Sequence, residues 1–296
     1  MHDHLTQRLH QLQLFCKHRV DHLLTGQYRS IFKGQGLEFD EVRAYCPGDD
    51  VRTIDWNVTA RSGQVHIKRF HEEREINLIF VVDNSPSFAW SSEDSGRQMA
   101  TAELCGLLGT AALDSNDRIG LLRFSDGMDD FLPPARGRNQ LMRCLSSVLE
   151  EPETVSSTCV VESLDHLNQL KLKRSIIVVI SDFFMEGYME NLAMLGRHHE
   201  VIAIAVDDPR EATLTGGGLT HLRDAETGQT RWLDLASQSV QKLFSRRMDK
   251  RLKDRQQAFS QWGLDLLVHN VGDDPVETLL SFFHARRDRI EGETGG

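Results

Sequence analysis

The hydrophobic positions of this 296-residue chain change texture near residue 75. Before that point they are spaced among polar ones. Leu5, Leu9, Leu12, Phe15 and Val20 recur at roughly helical intervals, which predicts an amphipathic helix over 5–24 that stops near Gly26. Alternation over 38–45 and again over 65–70, the latter reading VHIKRF, predicts two short strands around the turn-rich CPGDDVRTIDW. From residue 76 the apolar positions become continuous. INLIFVV at 76–82 ends abruptly at Asp83, SIIVVIS at 175–181 ends at Asp182, and VIAIAV at 201–206 ends at Asp207. Runs of this length without alternation fit strands covered on both faces.

RIGLLRF at 118–124 supplies another strand, and helical patterns fall at 98–113, 140–149 and 161–170. Strand and helix alternating with apolar strands predict a mostly parallel sheet flanked by helices, the doubly wound α/β class. After Pro209 come a triple-glycine loop at 216–218 and a hairpin turning at Glu226, Thr227 and Gly228. A long polar helix at 237–262, a last strand at 264–269 and a last helix over 275–287 with Pro275 in its first turn complete the reading. The expected organisation is a small N-terminal helix plus β subdomain over 1–74, the α/β domain with a C-terminal extension over 75–290, and a flexible tail at 291–296.

Composition narrows the function classes. Hydrophobic residues make up 40% of the chain, enough for a substantial core, so intrinsic disorder is excluded. With 34 Lys and Arg against 44 Asp and Glu the formal charge is −10, which argues against nucleic acid held by bulk charge and favours cations or basic surfaces as partners. The N-terminal segment lacks the apolar core of a signal peptide and no run is long enough for a membrane helix, so no membrane insertion and a cytoplasmic location are expected. Five cysteines, never in a Cys-x-x-Cys pair, indicate neither a disulfide framework nor a zinc ribbon.

In open α/β sheets ligands bind outside the carboxyl ends of the strands. There the first long strand presents Asp83, Ser85 and Ser87, a carboxylate and two hydroxyls within five residues. Asp182 ends a second strand, and Thr158, with Ser157 as an alternative for its role, lies just ahead of a helix. A donor set of oxygens alone suits hard cations such as Mg²⁺, Mn²⁺ or Ca²⁺. Taken singly, each of these residues is an ordinary turn former or helix cap; three segments delivering them to one sheet edge favour a shared site. No Gly-x-x-x-x-Gly-Lys-Ser/Thr loop and no Gly-x-Ser-x-Gly elbow occurs, which disfavours a P-loop nucleotidase and an α/β-hydrolase. The position two residues after Asp83 is Ser85, where an aspartyl-phosphate phosphatase is expected to carry a second Asp.

Asp83, Ser85, Ser87, Thr158 and Asp182 resemble the metal-ion-dependent adhesion site of von Willebrand factor A domains. GQGLEF at 34–39, then Arg43 and Tyr45, Pro47, Gly48, Asp49, Asp50 and Arg52, then Asp55, Trp56 and Arg61, closely resemble the signature of the bacterial domain-of-unknown-function fifty-eight family, whose members carry a von Willebrand A-like domain. The likeness continues through Asp117 to Gly120, Ser181 to Phe183, Asp208 to Glu211 and Asp224 to Gly228. Family members often have Gly-Gly-Thr where this chain has Ser156, Ser157 and Thr158, and Met where Phe88 stands.

The resemblance implies a von Willebrand A-like fold, direct contact of both serines with the metal, and aspartates acting largely through water. A partner's Asp or Glu would then complete the shell. It further implies a non-enzymatic, metal-dependent protein-interaction module working with a MoxR-type AAA+ ATPase in chaperone-like or complex-maturation activity. Two other readings stay open: a metal-dependent hydrolase of phosphate esters at the same crevice, and a metal-free scaffold. In the signature region, Asp49 and Asp50 are expected as caps, with Arg43, Arg52, Asp55 and Arg61 interlocked as ion pairs. The basic run Arg246, Arg247, Lys250, Arg251, Lys253 and Arg255 reads as a solvated helix face or a contact for an acidic partner.

Overall fold

A computed structural model describes the chain except for residues 1, 21, 33–38, 48, 50, 52–53, 71–74, 86–87, 89–95, 126–127, 151–159, 171, 213–217, 224–229 and 295–296. A six-stranded sheet organises it. The strands are β3 (Asn77–Asp83), β4 (Arg118–Phe124), β5 (Met128–Ala135), β6 (Ser175–Ser181), β7 (Glu200–Asp207) and β10 (Asp265–Asn270), in the order β10-β7-β6-β3-β4-β5. All neighbours are parallel except β4 with β5. Two antiparallel ribbons stand apart from this sheet: β1 (Phe39–Ala44) with β2 (His66–Phe70), and β8 (Leu219–Arg223) with β9 (Thr230–Asp234). The expected doubly wound, mostly parallel sheet flanked by helices is therefore the architecture observed.

The period of two along each strand sorts side chains between two cores. Leu78, Phe80 and Val82 of β3, with Ile176, Val178 and Ile180 of β6, face one core. That core is closed by α4 (Gly96–Asp114), α5 (Arg138–Val148), α9 (Pro275–Thr294) and the N-terminal helices α1 (His2–Arg19) and α2 (His22–Phe32). Ile79 and Val81, with Ile177 and Val179, face the other, covered by α6 (Val160–Gln169), α7 (Met189–His198) and α8 (Gln238–Trp262). Continuous apolar strands are thus the signature of a sheet with a helical layer on each side.

The differences from the sequence reading have physical causes. The single helix expected over 5–24 is two helices, and α2 runs straight through Gly26 to Phe32. Leu24 and Tyr28, four residues apart, are completely buried, and the Tyr28 hydroxyl donates to Asp117; burial of one face outweighs the intrinsic penalty of a helical glycine. Strand β5 escaped notice because FLPPA carries two prolines, which only an edge strand tolerates. Here it packs so tightly that a Cβ on Gly120 of β4 would lie 3.0 Å from the Leu132 carbonyl and 3.1 Å from Pro134. Helix α9 continues past 287 into the expected tail as far as Thr294. Arg289 ties that part of the helix to Asp265, and Arg286 just before it pairs with Glu200 and Asp265.

Candidate metal centre

The parallel pairing of β3 with β6 aligns Val82 with Ile180, so the two strands end side by side. Asp83 closes β3 and Asp182 follows β6 immediately, which brings both predicted carboxylates to one crevice at the carboxyl edge of the sheet. Both are buried, Asp83 at 3% and Asp182 at 7% exposure, and Ser85 is buried with them at 1%. Ser87 and Thr158, together with Ser157, lie outside the described residues. The structure therefore brings together three of the five expected donors, Asp83, Ser85 and Asp182.

Local hydrogen bonds fix their orientation. The Ser181 hydroxyl donates to Asp83 Oδ2 at 2.6 Å, and the Ser85 amide donates to Asp83 Oδ1 at 2.9 Å. Ser85 Oγ accepts the Phe88 amide at 3.3 Å, and Asp182 Oδ1 accepts the Phe184 amide at 2.9 Å. Between them the backbone of Phe183 takes the left-handed region, with φ at 55°, while its ring packs between Tyr188 and Phe259. A bulky residue at positive φ is strained. Burial of its ring in the second core holds it there and turns the chain just after Asp182.

Three arginines surround this edge, and the described ion pairs of two of them, Arg255 and Arg97, go to other acids. Arg255 makes a two-pronged pair with Asp207 at 2.8 and 2.6 Å and donates to the Asp182 backbone carbonyl at 2.7 Å. Arg97 pairs with Glu211 and donates to the Val206 carbonyl. Arg251 stacks on Phe184 and donates to its carbonyl at 3.4 Å. The electrostatic consequence is a pair of neighbouring buried acids. Asp83 is pushed up to about 7, first by burial and then by the charge of Asp182, against the opposing hydrogen bonds from Ser181 and Ser85. Asp182 is also raised by burial, opposed by the Phe184 amide and the guanidiniums of Arg97, Arg251 and Arg255.

This donor set fits a hard divalent cation. It contains only oxygens, and two carboxylates that repel each other in a poorly solvated crevice are stabilised by a shared positive charge. Among the described residues no group of three or more His, Cys, Asp or Glu is arranged to hold a metal. When bound, the ion would be held by Asp83, Ser85 and Asp182 and would supply Lewis acidity toward a carboxylate. Sequence reasoning missed Ser181, Arg97 and Arg255. Ser181 was legible as the neighbour of Asp182. Arg255 was hidden within a basic run, and only its spacing to Phe259 on the buried face of α8 sets it apart.

In the signature region two acids, Asp49 and Asp55, have described roles. Arg43 makes a two-pronged pair with Asp49 at 2.9 and 2.7 Å, and Asp49 also accepts the Cys46 amide, closing the turn. Asp55 caps the short helix α3 (Trp56–Ser62) by accepting the amides of Asn57 and Val58. Asp50 and Arg52 lie outside the described residues.

Fold and site define an α/β protein with a buried two-carboxylate crevice at the carboxyl edge of its sheet. The chain belongs to the family described as protein of unknown function DUF58, whose model matches residues 41–254. It is 28% identical over 287 residues to uncharacterized proteins of Mycobacterium tuberculosis and Mycobacterium bovis, covering 96% of this chain and 90% of each relative. Among solved structures it is similar to the conserved hypothetical protein BatB of Bacteroides thetaiotaomicron, with 16% identity and TM-score 0.44 over 72% of this chain and 99% of that one. It also matches the ArnB paralog VWA2 of Sulfolobus acidocaldarius, with 15% identity and TM-score 0.27 over 49% of this chain and 38% of that one.

Proposed function

We propose that this protein is a non-enzymatic interaction module that uses a divalent cation, Mg²⁺ or alternatively Mn²⁺ or Ca²⁺, at the crevice of Asp83, Ser85 and Asp182, with Ser87 and Thr158 as further ligands. The observation that carries the reading is the juxtaposition of two buried carboxylates on adjacent strand ends, next to a buried hydroxyl and without a described ion pair to either acid. The ion neutralises the two acids, and an Asp or Glu of a partner protein completes its shell. On the family resemblance the partner is a MoxR-type AAA+ ATPase, and the role is chaperone-like or in complex maturation. No turnover is required of such a site.

Titration calorimetry with Mg²⁺ tests the metal. Wild type should bind and Asp83→Ala should not; equal affinity in the two would remove the assignment. Capture of the MoxR-type ATPase with and without EDTA tests the bridge. Capture undiminished by EDTA excludes a metal-mediated contact.

A further inference from the structure

One surface beside the crevice has a sign opposite to that of the whole chain. On α8 the residues Arg246, Arg247, Lys250, Arg251 and Lys253 are exposed, in a protein whose formal charge is −10. Among the described residues, none of these five is in an ion pair with a carboxylate. The stripe is physically continuous with the site. Arg255, buried on the same helix, holds the Asp182 carbonyl, and Arg251, one turn earlier, lies 4.3 Å over the Phe184 ring. Arg247 follows one further turn away, so a track of positive charge leads about 12 Å along the helix from the crevice.

Resting on the interaction role proposed above, we infer that this face of α8 is the docking track for an acidic, extended segment of the partner, one carboxylate of which enters the Asp83 and Asp182 crevice. An extended segment advances about 3.3 Å per residue and turns every second side chain to the same side. A segment with acids at alternate positions therefore meets the successive guanidiniums of the track while its terminal acid occupies the crevice. Charge complementarity selects this occupant: a basic segment would be repelled by α8, and a neutral one would leave Arg247, Lys250 and Arg251 without a carboxylate. The track adds register and association rate, while the crevice adds the directional contact.

Fluorescence anisotropy with a labelled alternating Glu-Gly peptide and its Gln-Gly counterpart tests this in the full-length protein. The Glu-Gly peptide should bind and the Gln-Gly peptide should not, with affinity falling steeply as salt rises. Arg247→Glu with Lys250→Glu, both exposed and away from the crevice, should weaken Glu-Gly binding about tenfold in Mg²⁺ and in EDTA alike, with unchanged circular dichroism and unchanged Mg²⁺ affinity. Asp83→Ala should remove only the Mg²⁺-dependent part. Unaltered peptide affinity in the double variant overturns the inference, as does tighter capture by phosphatidylserine vesicles than by the peptide. Peptide binding that depends on α8 but never on Mg²⁺ leaves the track standing and removes the metal reading instead.

Discussion

Replacing Asp83 by Asn separates a functional cost from a structural role. In the metal-free protein the folded state holds the Asp83 proton up to about 7, whereas an unfolded chain releases it near 3.8. Between those values the native state binds more protons than the unfolded one, so stability falls as pH rises and the full cost is in place above pH 7. The interval of 3.2 pH units from 3.8 to about 7, at 1.36 kcal/mol per unit, sets a ceiling of about 4 kcal/mol. Asn abolishes that charge, keeps an oxygen for the Ser85 amide, and loses the charge-assisted bond from Ser181. The net gain should be about 1–3 kcal/mol, or on the order of 5 °C in Tm for a domain of this size.

Thermal unfolding in EDTA is the assay. Asp83→Asn should melt above wild type at pH 8, and its advantage should shrink by more than half at pH 5. Adding Mg²⁺ should raise the wild-type Tm and leave the variant where it was. A variant less stable than wild type in EDTA at pH 8, or an equal Mg²⁺ gain in both, refutes the account of the crevice as a pair of acids awaiting a cation.

Other substitutions probe the frame around the site. Arg255→Ala leaves the half-buried Asp207 and the buried Asp182 carbonyl without their guanidinium partner and should cost about 3 kcal/mol in denaturant unfolding. Asp55→Ala removes the cap of α3 and should cost about 1 kcal/mol; hydrogen exchange should localise that loss to residues 56–62. Gly120→Ala forces a Cβ against the backbone of the edge strand β5 and should lower stability by about 1–3 kcal/mol, with faster exchange in β4 and β5.

The readable and unreadable parts of the site differ in kind. Asp83 and Asp182 were legible because each interrupts an apolar run, and a strand buried on both faces can end on a charge only at the sheet edge. The pull of burial on their protonation was not legible, because it depends on how completely Phe88, Phe183 and the surrounding arginines exclude water. In the signature region the residue types announced turns and caps, but the partners that Asp49 and Asp55 take there were decided by distance. Asp49 sits across the turn from Arg43, and Asp55 sits at the first turn of a helix too short and too exposed to show a periodicity.

Sequence alone determined the class of the sheet, the ends of its central strands and the oxygen-rich chemistry at those ends, because these follow from local hydrophobic pattern and residue type. Tertiary structure alone decided that β6 lies beside β3, that the N-terminal helices complete a core layer, and that Arg255 turns inward while Arg247 and Arg251 remain outside. These depend on contacts between residues far apart in the chain. A local pattern carries the period of a helix or strand but not the identity of the neighbour against which it packs.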